Sequence, residues 1–521
     1  MMMKRIPALD SIRGLLLLVM TLNHLFWISG GSSIFQTFTL QPFGQFGAAE
    51  GFVLVSGFLA GAIYSRPALS LIDIRQKAWG RAWSIYRYHI ACLVVIFVWF
   101  AFCVLFWPQA AETLLPNFTN LVEAPYSTVI WSVLLVNKPN FLEILPLYIM
   151  YIALLPVIIA AYRRGWMMMV MAVSLIVWGM SGFITDQLLV SSLADLSPQF
   201  DLKTGYFDPF AWQLLFVVAS ALGFAANNPE FRWYSLPIFV ICCVLALLIM
   251  AMHHGAFISL GIHQGVLYSL ADKPELGWLR ATNIALWAYI IAVMIRIRPT
   301  WLDCRPLSYL GRHSLQVFAW HTVMIYLMAP MLMSQRFEGH YEILILLCAA
   351  SIWIPAWIRE NKTKLSKTRR LSIGMGGAVS AALVLSLMFK PQILPSVEAD
   401  ADGSAPLSVM IKNIQDSGPV IVLVYAEHDD LMGLPSVHAQ GYSAEQVEHG
   451  VTIPGLPTGK YAIFAYQDVD NNQQLTSDVS GLPTEGFGYS NNPALQGPPT
   501  MAQIEFAHPE QAHQVIQLVN F

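Results

Sequence analysis

The chain has 521 residues, of which 56% are hydrophobic and only 12% charged, with a formal net charge of −3. This composition excludes an ordinary soluble globular protein and a basic nucleic-acid binder, and describes a polytopic membrane protein with a soluble part attached. The charge is unevenly shared: residues 1–395 carry 27 Lys/Arg against 17 Asp/Glu, whereas residues 396–521 carry 2 against 15. A basic membrane part and an acidic tail are two different objects. All six cysteines (Cys92, Cys103, Cys242, Cys243, Cys304 and Cys348) fall in the membrane part without CxxC spacing, so the tail has no disulfide framework and no metal-thiolate site is expected.

Taken in chain order, Lys4 and Arg5 precede an apolar run, which superficially resembles a signal peptide. No small-residue cleavage site follows and a second apolar segment begins soon after, so the run reads as an uncleaved first helix. Apolar segments near 12–29, 46–64, 88–107, 143–162, 166–184, 209–227, 235–252, 279–295, 306–332, 341–358 and 371–389 read as eleven spans. Placing Lys4 and Arg5 in the cytoplasm puts nineteen loop Lys/Arg inside and five (Lys138, Lys203, Lys273, Arg280 and Arg336) outside, which sets the orientation. The stretch 253–278 fits least well, and Phe257–Leu270 reads there as a re-entrant or interfacial piece. The basic run Lys362 to Arg370 leads into a plain apolar helix, Ile373–Phe389, that would carry the tail across the membrane. Beyond Pro395, alternating runs such as Val420–Tyr425 and Tyr461–Tyr466, bounded by Gly, Pro, Asn and Asp, read as strands of a small β-sandwich.

Polar groups at membrane depth single out candidate site residues. Arg13 and His24 are eleven positions apart in the first span, so they share a helix face, with His24 roughly 16 Å deeper. Charged groups at that depth usually face a bundle interior or a wet cavity. Asp10, one turn before Arg13, can hold its guanidinium. The same residues also fit a snorkelling Arg13 and a core His24 bonded to a neighbouring helix. In the second span Gly47, Glu50, Gly57 and Gly61 form one stripe suited to close helix packing. Glu50 should lie at the depth of His24, where a carboxylate fixes the tautomer of an imidazole base. A merely structural Glu–His bond is the other reading. The ninth span repeats the theme with Arg312 near the cytoplasmic end and Ser314 on the face of His321. Glu143 and Asp208 cap the outer ends of the fourth and sixth spans. Trp212 suits either sugar stacking or an interfacial aromatic belt. Arg13, Arg81, Arg87 and Arg312 gather on the cytoplasmic side, where a phosphate-bearing donor would be held, whereas histidines and carboxylates gather on the outer side. That arrangement favours group transfer across the membrane.

Arg13-x10-His24, with Phe52-Val-Leu-Val-Ser56-Gly57-Phe58, resembles the signature of the membrane acyltransferase-3 superfamily. Four further blocks resemble the OpgC family of glucan succinyltransferases: Leu9-Asp10-Ser-Ile-Arg13-Gly, Phe141-Leu-Glu143-Ile-Leu-Pro146-Leu-Tyr148, Asp208-Pro209-Phe210-Ala-Trp212-Gln213-Leu-Leu-Phe, and Leu310-Gly-Arg312-His313-Ser314-Leu-Gln316-Val-Phe. The resemblance covers residues 1–358 and implies a ten-span bundle in a Gram-negative inner membrane. It further implies a cytosolic acyl-CoA co-substrate, succinyl-CoA in the best-known members, and periplasmic glucan acceptors. The family roles carry over most directly to Arg13 and His24. The chain departs from the family in its extra eleventh span and exported tail. Tyr461–Pro499 resembles a small uncharacterised secreted β-sandwich family. Asp468-Val-Asp470-Asn-Asn472 has the look of a calcium-loop opening, but it lacks Gly at the sixth position and Glu at the twelfth, so a surface turn is the better reading.

The expected architecture is thus an all-α polytopic membrane bundle, ten spans plus one, with a C-terminal all-β sandwich. Its parts are an acyltransferase domain over 1–358, a linker and eleventh helix over 359–395, and a periplasmic domain over 396–521. The expected enzyme moves a succinyl or similar acyl group from acyl-CoA to a glucan hydroxyl, with no bound cofactor or metal. His24 and Glu50 are its expected catalytic pair, and Asp10, Arg13 and Arg312 hold the donor. Glu143, Asp208, Trp212 and His321 line the acceptor side, and the tail engages a periplasmic partner. The rival reading is a transporter or flippase with an Arg13–His24 proton relay, although no inverted repeat of broken helices is evident. A third reading, in which the membrane part merely anchors the tail, would leave ten polar-lined spans without a purpose.

Overall fold

The computed structural model describes residues 6–30, 33–194, 202, 204–254, 256–257, 267, 270–335, 339–361, 404–414, 418–429, 431, 435–469, 475, 483, 485–493, 499 and 501–519. The chain forms two compact units.

The first unit is helical. Its principal helices are α1 (Pro7–Ser29), α2 (Ala48–Tyr64), α3 (Leu71–Phe106), α4 (Ile144–Arg163), α5 (Met167–Gly179), α6 (Pro209–Ala225), α7 (Leu236–His253), α8 (Trp278–Ile297), α9 (Arg305–Arg312), α10 (Ser314–Gln335), α11 (Tyr341–Ala350) and α12 (Trp353–Glu360). Among the described residues seven helices are long and apolar enough to cross a bilayer, or up to eight if one bent pair is taken as a single span, while α2 and α6 are shorter apolar helices. Each of the ten segments expected between residues 12 and 358 contains a helix. The expected eleventh span and its basic linker lie outside the described residues, as does most of the re-entrant candidate 257–270.

Three segments differ from the simple rods expected. The expected loop 66–87 is largely helix, because α3 starts at Leu71 and runs 36 residues. Ser70 opens it with a capping box: its Oγ accepts from the Asp73 amide at 3.1 Å and Asp73 Oδ2 accepts from the Ser70 amide at 3.0 Å. Ile74, Ala78, Ala82 and Ile85 make its buried stripe, and Trp79 and Trp83 stay exposed. The fifth span is broken: α5 gives way to a π-helix at Phe183–Val190 after a 72° bend, across a break that holds Gly182. The ninth is interrupted at His313, between α9 and α10.

Small residues bring helices together where no hydrophobic force drives association. A Cβ on Gly61 of α2 would lie 2.1 Å from the Ser220 carbonyl of α6, and one on Gly223 equally close to the Phe58 carbonyl. Of the expected stripe, Gly57 and Gly61 lie on this helix–helix seam, whereas Gly47 meets the Glu50 side chain. On the other side of the bundle α3 is tied to α10, with Trp99 Nε1 donating to the Tyr326 carbonyl at 3.1 Å and Cys92 Sγ 3.7 Å from the Ala319 carbonyl.

Among its described residues the second unit carries eight strands: β1 (Ser404–Lys412), β2 (Val420–Ala426), β3 (His438–Tyr442), β4 (Val451–Pro457), β5 (Gly459–Gln467), β6 (Phe487–Tyr489), β7 (Phe506–His508) and β8 (His513–Gln517). A three-stranded sheet has the order β4-β1-β8, and a five-stranded one the order β3-β2-β5-β6 with β7 also on β5. Among the described residues only the β1–β8 pair is parallel. Leu407, Val409 and Ile411 of the first sheet meet Val420, Val422, Val424 and Ile463 of the second in one core. The runs expected at Val420–Tyr425 and Tyr461–Tyr466 are β2 and β5, antiparallel neighbours in the five-stranded sheet; Val420, Val422 and Val424 alternate inward as period-two patterning requires, whereas Tyr461, Ala462 and Ile463 are buried in succession. Asp468 is buried, and the neighbouring Val469 amide donates to Glu485 Oε1 at 2.7 Å; Asp470, Asn471 and Asn472 lie outside the described residues.

Candidate active site

Two parallel helices, α1 and α10, supply the centre of the site. Their approach is set by α9: a Cβ on Gly14 would meet the Leu307 carbonyl oxygen at 1.9 Å, and one on Gly311 that of Asp10 at 1.9 Å. Only hydrogen fits at either position. Ser11 adds a polar clasp, its Oγ donating to the Cys304 carbonyl at 3.1 Å and accepting from the Cys304 amide at 3.0 Å.

With the backbones so placed, the Arg13 guanidinium donates to Ser314 Oγ and lies over the Phe52 ring, 5.8 Å from its centroid. Asp10 attracts it from one turn away, while Arg81 of α3 repels it. Arg13, Arg81, Phe52, Tyr148, Ser314 and Phe318 line a small cavity of about 30 Å³. Tyr148 is held there by its hydroxyl, which donates to the Phe52 carbonyl at 3.2 Å. Further along the same two helices, His24 Nδ1 and His321 Nε2 face each other at 3.3 Å, with the rings 5.4 Å apart and 29° from parallel. Phe141 closes on His24 at 4.6 Å and Phe318 on His321 at 4.6 Å. Between the cation and the imidazoles, Phe52 stacks on Phe318 at 6.4 Å. An aromatic sleeve therefore separates a fixed positive charge from a pair of facing imidazole rings.

The expected Glu50–His24 pair does not form. Glu50 Oε1 instead accepts from Arg280 Nη1 at 2.7 Å, with both side chains out of solvent. Arg280 also donates from Nη1 to Gln41 Oε1 at 3.0 Å and from Nε to the Ala271 carbonyl at 2.8 Å. The depth argument placed Glu50 at the right level but could not set its rotation; a buried guanidinium outcompetes a neutral imidazole for a carboxylate. Arg280, expected in an outer loop, occupies the first turn of α8. His321 is the partner His24 takes.

The other expected residues divide. Arg312 is exposed, its guanidinium 5.4 Å from the Tyr309 ring, and does not line the Arg13 cavity, whereas Arg81 does. Asp208 is a helix cap: Oδ1 accepts from the Phe210 and Ala211 amides at 2.7 and 3.0 Å, and Oδ2 from Thr185 Oγ1 at 2.6 Å. Trp212 is fully buried, and Nε1 donates to the Lys273 and Pro274 carbonyls at 3.1 and 3.0 Å. Its faces are not open for sugar stacking, and an interfacial belt does not describe it either. Glu143 Oε1 accepts from the Tyr206 amide at 3.3 Å. Beside it Lys138 is buried in the loop before α4, which pushes its ammonium down to about 8 against the pull of Glu143 and Asp208. Sequence reasoning missed Arg280, Phe141 and Lys138 as site neighbours; the signal for Arg280 was an arginine one turn inside an apolar helix, followed by Asn283.

A family model described as "OpgC protein" matches residues 5–364. The chain belongs to the OpgC family. A second model, "Uncharacterized protein conserved in bacteria (DUF2141)", matches residues 409–517. No curated protein and no solved structure gives a significant match. OpgC membership makes this a multi-pass membrane protein of a glucan-modifying, acyltransferase-like class. In this OpgC-family chain the two residues of the Arg13-x10-His24 spacing each have a partner on α10, namely Ser314 and His321. Among the described residues no cluster of His, Cys, Asp and Glu is arranged to hold a metal ion.

Proposed function

We propose that this protein transfers a succinyl or similar acyl group from cytosolic acyl-CoA to a hydroxyl of a periplasmic glucan, across a Gram-negative inner membrane. The amino terminus is cytoplasmic on this reading and the β-rich domain periplasmic. The observation that carries it is the stacking of two functions on one helix pair: Arg13 with Ser314 below, His24 with His321 above. The acyl-CoA enters from the Arg13 side, its phosphate or pantetheine oxygens facing the guanidinium and its thioester reaching along the aromatic sleeve toward His24. The glucan hydroxyl arrives at His24. As its oxygen attacks the thioester carbonyl carbon, His24 takes the hydroxyl proton. The carbon–sulfur bond breaks, and the proton passes to the departing coenzyme A thiolate. With Nδ1 of His24 engaged by His321, Nε2 is the nitrogen that takes the proton, so His321 sets the tautomer. The sleeve of Phe52, Phe141 and Phe318 keeps water, the competing acceptor, from the thioester.

A mass spectrum of cell-envelope glucans with and without the gene tests the activity directly: acyl substituents disappear in its absence. An unchanged acyl pattern sinks the reading.

Arg13→Lys keeps the charge but loses the planar fork that bridges Ser314 and the donor. A charged hydrogen bond contributes about 1.5–3 kcal/mol, so use of acyl-CoA should fall by about one to two orders of magnitude. The dependence on glucan concentration should move little. Unaltered acyl-CoA kinetics in both Arg13→Lys and Arg13→Ala would make Arg13 a structural residue.

The acidic tail repels an anionic, succinylated product, so its role is to engage a periplasmic partner or position the enzyme. Truncation after Arg370 should leave acylation of small acceptor glucans intact and lower it on the natural acceptor. Complete loss with normal membrane insertion would place part of the active site in the tail.

A further inference from the structure

A groove of about 570 Å³ opens on the outside of the helical unit, between the start of α3, the end of α4 and the start of α5. Its size falls within the ~300–1,000 Å³ typical of small-molecule sites. The walls are apolar, with Pro156 and Val157 from α4 facing Met169 and Val173 from α5; Val157 is 70% exposed and Met169 53%. Trp79 forms one side, fixed by Nε1 donating to the Ala153 carbonyl at 3.2 Å. Two charges line the groove, both positive: Arg75 near the start of α3 and Arg164 just past the end of α4. Arg75 lies 5.4 Å from the Trp79 ring centroid and Arg164 5.5 Å from that of Trp166. Neither guanidinium has an ion-pair or hydrogen-bond partner among the described residues. The neighbouring Arg163, by contrast, is spent on structure, donating to the Leu69 and Arg66 carbonyls at 2.8 and 2.9 Å. Asp73, the nearest acidic residue in sequence, is turned into the Ser70 cap and does not line the groove.

We propose that this groove binds an anionic phospholipid, with one acyl chain lying along Pro156 and Val157 and the headgroup phosphate held between Arg75 and Arg164. An apolar trough open toward lipid excludes a hydrophilic ligand, and its two guanidiniums match phosphate in shape and charge. Zwitterionic lipid carries its own ammonium beside the phosphate, so it gains less from the same pair of cations. Tryptophan rings flanking the arginines suit the membrane–water boundary, where headgroups lie, and basic pockets between transmembrane helices are known to collect anionic lipid. The inference does not depend on acyl transfer, because α1 and α10 take no part in the groove.

The test uses the full-length protein in phosphatidylcholine nanodiscs doped with phosphatidylglycerol, moved into detergent and read by native mass spectrometry. Wild type should retain phosphatidylglycerol in preference to phosphatidylcholine. The double variant R75Q/R164Q should retain at least about tenfold less, since each interfacial cation contributes about a factor of five. Val157→Trp fills the trough and leaves both charges in place, and it should lose the lipid similarly; it decides alone if the double variant does not fold. Equal retention of the two lipids by wild type overturns the proposal, as does wild-type retention in either folded variant. Displacement of the lipid by soluble acyl-CoA overturns it too, since the groove would then be a donor site.

Discussion

His24→Ala should lower the rate of acyl transfer by about 10²–10⁴-fold, the contribution of a positioned general base, with expression and membrane insertion unchanged. His24 lies within an apolar helix, and alanine in its place does not reduce the hydrophobicity that drives insertion. His321→Ala should lower the rate too, because His321 Nε2 is what engages His24 Nδ1 at 3.3 Å. His321→Gln, which keeps a group able to bond Nδ1, should retain more of the rate than His321→Ala. Two residues acting as one unit are non-additive, so the double alanine variant should be no slower than His24→Ala by more than a few-fold. Rates come from purified enzyme in liposomes with acyl-CoA outside and glucan inside, normalised to inserted protein. Acylation by His24→Ala within a few-fold of wild type would remove the base assignment. Multiplying losses in the double variant would separate the two rings.

Glu50→Gln is expected to act on stability before chemistry. Its carboxylate is the ion-pair partner of a buried Arg280, at 2.7 Å with both side chains shielded from solvent. Removing one member of a buried pair leaves the other charge uncompensated, at a cost of about 3–5 kcal/mol. Arg280→Met leaves the carboxylate with Lys273 as its remaining nearby cation and should be damaging too. The double variant E50L/R280M should regain part of the loss, because an apolar replacement of a buried pair is often neutral. Thermal unfolding in detergent, followed by tryptophan fluorescence, gives the order. Glu50→Gln as stable as wild type but slow in acyl transfer would return Glu50 to the catalytic role that its depth suggested.

How much of this was legible before the structure depends on what kind of signal each residue gave. Arg13 and His24 stand out because titratable groups interrupt an apolar run, and their eleven-residue spacing fixes a common face whatever packs there. The identity of the neighbours is not coded in that way. His24 meets His321 and Glu50 meets Arg280 because of how α1, α2, α8 and α10 are rotated. Those rotations are set by backbone contacts such as Gly61 on Ser220, which no single helix reveals. Trp212 was ambiguous for a related reason: a tryptophan near a span end reads as interfacial, but carbonyls at Lys273 and Pro274 draw its N–H inward. The tail was easier, since strand alternation reports directly which face is buried, and Val420, Val422 and Val424 are inside as patterned.

With Gly14 seated on the Leu307 carbonyl and Gly311 on that of Asp10, α1 and α9 cannot slide or part without breaking a backbone-to-backbone fit. They move as one rigid body. The helix axis breaks at His313, where α9 ends and α10 begins, and His321 lies roughly 12 Å beyond that point. Arg13 and Ser314 sit beside the break, and the two imidazoles lie further along α1 and α10. So sealed an interface is poorly suited to carrying a solute through, since alternating access would have to prise apart what the glycines hold together.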